Sequence, residues 1–275
     1  MKLKLFTGIV AIAFSLSAFG QSSQKTVEEF LKQTGMSNLF KEFDGLIQSK
    51  ISGKKSSFAT PEQFEQFKTI MTSGMNAKNA QKFLSEYLEK YSNEDSMKQV
   101  TELYRDPFMQ EFNRIEKEAA TKEKQKEMIP YFQTLKETPP NQNRVQQLVS
   151  LNKEMRTSEI LVKMLQHMTV SMIKGVNYTQ PKDKQIDDKE ILAKMDSILT
   201  PDFAVQMSNQ LVAYMLFTYK DVKDDNMNHY LEVWNSPVGK YCMKVSVDAF
   251  DYSFSQMGEI IGSSFSVLDK SKRPE

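Results

Sequence analysis

Met164, His167, Met168 and Met172 form the sharpest local cluster of potential ligands in the chain. On a helix, positions 164, 168 and 172 stack on one side and 167 lies one turn from 164. Thioethers and an imidazole would then converge on a soft ion such as copper(I), which thioether ligands select. Met227 and His229 offer a second, sparser pair. The same methionines also coincide with an apolar stripe through Leu161 and Leu165, where Met is a good filler of irregular cores. With one Cys and two His, a zinc site built from Cys and His alone could not exceed three ligands.

Other chemistry is harder to find. The sequence contains no Gly-x-Ser-x-Gly elbow, no His-Glu-x-x-His, no phosphate-cradling glycine loop and no Gly-x-Gly-x-x-Gly. It reads as non-enzymatic and calls for no cofactor. A cell-wall hydrolase needs only two carboxylates, which leaves a carboxylate-based cell-wall enzyme as an alternative, but no pair stands out. Asp95, Asp221, Asp224 and Asp225 fall at helix approaches, where capping and the helix dipole already account for acidic residues. The aromatic content, 18 Phe and 10 Tyr, allows a groove for an apolar ligand, a lipid tail or a partner helix. Most of these rings fall on helical stripes, as a core also requires.

The elements that would position these residues are helices. Ten Gly and nine Pro in 275 residues are too few for a turn-rich all-β or linker-dominated chain. Lys and Arg number 36 against 35 Asp and Glu, so nothing electrostatic favours nucleic acid or an anionic membrane as a general partner. Lys2 and Lys4 precede an apolar stretch from Leu5 to Leu16, and Ala18-Phe19-Gly20 supplies the small residues that a signal peptidase reads before Gln21. This predicts a signal peptide over 1–20, cleavage between Gly20 and Gln21, and a periplasmic or secreted protein. No later apolar run is long enough to span a bilayer. Cys242 lies on a stripe with Val238, Tyr241, Val245, Ala249 and Tyr252, and is expected to be buried and inert.

Thr26-Val27-Glu28-Glu29 has the form of a capping box, and a stripe from Met36 through Leu39, Phe40, Phe43 and Ile47 to Ile51 follows it. Thr60-Pro61 and Thr200-Pro201 each open a helix. Glu116 to Lys126 mixes charges at helical spacing and reads as a solvated face, with Pro130 ending or kinking that helix. Pro139-Pro140-Asn141 marks a boundary between a first helical module, 21–138, and a second, 139–268, with a polar tail at 269–275. Residues recur at an offset of 130: Met97 with Met227, Val100 with Tyr230, Leu103 with Val233, Tyr104 with Trp234 and Pro107 with Pro237. The spacing predicts two copies of one helical module, the first degenerate.

Trp234-Asn235-Ser236-Pro237-Val238-Gly239-Lys240 resembles the signature of the domain-of-unknown-function 2059 family, a group of bacterial exported helical proteins. In that family an aromatic residue precedes a Thr/Ser-Pro-Val/Leu-Gly-Gln/Lys turn into a long helix. Ser236 can cap, Pro237 sets the first turn, and Gly239 leaves room for close approach. Tyr104, Asp106 and Pro107 belong to a degenerate copy in which Met109 replaces the glycine. The resemblance covers roughly 221–262 and implies an all-helical fold and export, with no activity attached. The expectation is an all-α, bundle-like architecture of two related modules. Its function would be that of an interaction or ligand-binding module of the cell envelope, with a protein, peptide or lipid partner. Soft-metal binding is the alternative.

Overall fold

The computed structural model describes residues 22–40, 43–179 and 182–271. The predicted leader and its cleavage point lie outside them. Every regular element among the described residues is helical. In chain order these are α1 (Gln24–Gln33), α2 (Phe43–Ser52), α3 (Pro61–Gly74), α4 (Ala77–Tyr91), α5 (Glu94–Arg105), α6 (Pro107–Ala119), α7 (Lys122–Glu137), α8 (Gln142–Glu154), α9 (Thr157–Thr179), α10 (Asp188–Ile198), α11 (Pro201–Thr218), α12 (Asp224–Asn235) and α13 (Pro237–Ser271). A 3-10 turn, Met36–Phe40, links α1 to α2. No helix among the described residues is long and apolar enough to cross a membrane.

Caps set the helix starts. Thr60 and Thr200 accept from the backbone N–H groups of Gln63 and Phe203, with Pro61 and Pro201 in the first turn. Helix α1 departs from the sequence reading: its cap is Ser23, which accepts from the Thr26 N–H, so the helix begins earlier than a Thr26 cap would place it. The Thr26 hydroxyl instead donates to Glu94 at the start of α5, at 3.1 Å. The stripe after α1 is not one helix: Gly35 takes φ +73°, a left-handed turn that favours glycine and sets α1 off from it, and the stripe is then divided between the 3-10 turn Met36–Phe40 and α2. Pro130 does not end α7, which runs on to Glu137. Pro130 and Lys126 are both exposed, so the carbonyl that loses its donor faces water. Helix α13 continues to Ser271, into the stretch predicted as a polar tail.

The core is continuous across both halves of the chain. Helix α13 runs antiparallel along α3 and α4 and reaches the start of α5. Phe265 stacks on Phe67, the Ser253 hydroxyl donates to the Ala80 carbonyl at 2.9 Å, and the Tyr241 hydroxyl accepts from the Asn93 N–H at 2.9 Å. Its other side packs along α9. Reciprocally, α6 packs on α11 and α12 of the second half. Helices α5 and α12 have equal length and begin 130 residues apart, and α1 packs on α4 and α5 as α8 packs on α11 and α12. Tyr104 and Trp234, themselves 130 apart, meet edge to face with ring centroids 6.3 Å apart. The boundary predicted at Pro139 to Asn141 falls in the link between α7 and α8, but each half sends its last helices across onto the other.

Candidate functional site

An apolar groove of about 750 Å3 opens between the 3-10 turn, α2, α9, α13 and the start of α7. Four rings form its floor. Phe40 meets Phe43 edge to face at 5.7 Å and lies 6.0 Å from Phe250; Phe43 lies 6.1 Å from Phe254; Phe250 and Phe254 stack at 6.3 Å. All four belong to the buried core, so the floor is rigid rather than a loose surface patch. Ile160, Leu161 and Met164 form one wall, successive residues of one face of α9. Leu46 of α2, 43% exposed, and Gly45 form the opposite lip. Lys122, the first residue of α7, stands among these apolar groups and is exposed. The volume falls in the range of roughly 300–1,000 Å3 typical of small-molecule sites.

The predicted ligand cluster is divided by this arrangement. Met164 faces the groove, and Met168 is buried in the core. His167 Nε2 lies 3.0 Å from an Asp251 oxygen, and the other oxygen of that carboxylate holds the Lys163 ammonium at 3.0 Å. Burial would raise Asp251, but the bonds from His167 and Lys163 outweigh it and hold the carboxyl below its usual range. An ion bound at His167 would therefore share its surroundings with an ammonium group. Met172 lies on α9, and the placement of its side chain is outside the described residues. Met227 and His229 do not meet: Met227 is buried, whereas His229 is exposed with its ring 4.5 Å from Phe108. Residues two apart on a helix face different sides.

Glu116 corrects the reading of its segment as a solvated face. One of its carboxylate oxygens accepts from the Tyr219 hydroxyl at 2.7 Å and the Tyr230 hydroxyl at 2.8 Å. Desolvation raises its pKa above the ordinary value, and the two hydroxyl bonds only partly offset this. The same burial pushes both phenols far up. After Glu116 the segment carries solvated ion pairs as expected: Glu118 pairs with Arg114 and Lys124, and Lys124 also with Glu127.

The aromatic-to-proline corner is packed. Trp234 is 1% exposed and touches Tyr230 as well as Tyr104. The Ser236 hydroxyl accepts from the Gly239 N–H at 3.1 Å and donates to the Val233 carbonyl at 2.6 Å. A Cβ on Gly239 would lie 2.7 Å from Trp234 Cα and closer still to the Val233 carbonyl oxygen, so the close approach is between α13 and the end of α12. In the first half Asp106 accepts from the Phe108 N–H at 2.8 Å, and Met109 is buried at the position of the glycine. Cys242 is buried beside this corner, with its thiol pushed up to about 12 by burial against weaker opposing bonds from Ser246 and Tyr104.

Comparison with models of known families, with curated proteins and with solved structures found no match.

Proposed function

We propose that this chain is an exported, non-enzymatic binding protein of the cell envelope that takes up an apolar ligand in the groove between α2, α9 and α13. The observation that carries this reading is the ring floor of Phe40, Phe43, Phe250 and Phe254 beneath a cavity of about 750 Å3. Isolated apolar side chains at a surface are ordinary, whereas a contiguous concave apolar surface marks a site for a partner or ligand. Export is supported by Lys2, Lys4, the apolar stretch after them and Ala18-Phe19-Gly20. The resemblance of 221–262 to the domain-of-unknown-function 2059 family and a duplicated module belong to the same proposal. The second is supported by the recurrence at 130 residues and by the matching neighbours of α5 and α12.

Native mass spectrometry of the protein recovered gently from the envelope tests the reading. A stoichiometric small-molecule adduct, lost on extraction with organic solvent, is expected. A bare polypeptide mass that stays bare after incubation with an envelope lipid extract would overturn it.

A further inference from the structure

Resting on that reading of the groove, we propose that its occupant is a single acyl chain ending in a free carboxylate, a fatty acid, whose head pairs with Lys122. Among the described residues Lys122 is the charged one lining the cavity; the other described lining side chains are apolar, and Gly45 has none. Its neighbour Lys124 is held by Glu118 and Glu127, but Lys122 has no ion pair with any described residue. Asp44 at the other lip has a carboxylate oxygen 2.7 Å from the Ala77 N–H, which donates to it. Lys122 also begins α7, so the positive end of that helix adds to its ammonium charge at the same lip. An uncharged hydrocarbon would leave that charge without a counterpart, and a cationic amphiphile would meet repulsion. One negative head at one end of an apolar chain matches both the ring floor and the lysine. The groove's volume suits one chain rather than a folded segment of another protein.

Equilibrium dialysis of the full chain against dodecanoate, 1-dodecanol and a dodecanoyl lysophospholipid separates the possibilities. Dodecanoate is expected to bind about five- to tenfold more tightly than dodecanol, the range of one partly exposed charge-assisted contact. Lys122→Ala should abolish that preference, Lys122→Arg should keep it, and added salt should weaken it. Equal affinity for acid and alcohol, or a preference that survives Lys122→Ala, would overturn the head-group assignment and leave the groove standing. Tighter binding of the lysophospholipid would overturn the free-acid class. No binding of any of the three would sink both this inference and the reading it rests on.

Discussion

Glu116 shows how one side chain can be central to the packing of both halves. Its carboxylate lies between Tyr219 and Tyr230, more than a hundred residues away in sequence, and both phenols are buried. Because its folded pKa lies above the ordinary 4.5, the folded state binds the proton more tightly than the unfolded chain. Its contribution is therefore most favourable below the ordinary value and diminishes as pH rises through the folded pKa. Glu116→Gln keeps acceptors for the two hydroxyls and removes the charge. Its urea midpoint at neutral pH should equal or exceed that of the parent, and the part of the acid-range pH dependence due to Glu116 should vanish. Glu116→Ala should lose about 1–3 kcal/mol, the cost of stranding buried hydroxyls. A Glu116→Gln variant less stable than Glu116→Ala would contradict this account. None of it was legible locally: the spacing from 116 to 126 is that of a solvated helix, and nothing within the segment reveals two tyrosines from the other half. Cys242 was legible, because its own stripe already placed it inside.

At the scale of elements, the sequence reading succeeds where the physics is local. The Thr-Pro starts at 60 and 200 and the Ser236-Pro237 corner follow from a hydroxyl acceptor and a fixed φ, and the structure has them. It fails where local rules compete. Ser23 and Thr26 can both cap, and the choice is decided by Glu94, which takes the Thr26 hydroxyl and the Ser23 N–H across the fold. Pro130 reads as a stop or a kink, and α7 runs on through it to Glu137, where exposure lets water serve the freed carbonyl. The corner between α12 and α13 gives a sharp prediction. Gly239→Ala would push a methyl into the Trp234 backbone and should cost about 1–3 kcal/mol or more. It should also shift Trp234 emission to the red as the indole loosens from Tyr104 and Tyr230. Unchanged stability with unchanged emission would show that the corner tolerates a side chain and does not set the path of α13.

The molecule as a whole depends on exchange between its halves. Besides α9 of its own half, α13 packs on α3, α4 and α5 of the other, and α6 and α7 pack across onto α11, so neither predicted module encloses its own core. The recurrence at 130 residues made the two halves visible in the sequence, but their interlocking was not, since periodicity states which face is apolar and not which helix will cover it. The groove shares that limit. Phe40, Phe43, Leu161 and Met164 were legible as stripe residues, whereas Lys122 was read as part of a solvated face. Their meeting depends on α2 of the first half lying against α9 and α13 of the second. The most direct test is a titration of the full chain with a neutral naphthylamine dye whose emission rises in apolar surroundings. It is repeated on a Leu46→Asp, Leu161→Asp double variant, which changes the lip and wall but not the ring floor. Saturable binding at one dye per chain is expected in the parent, and its loss in the variant with the urea midpoint preserved. Binding that never saturates, or that persists unchanged in the variant, would contradict a ligand site in this groove.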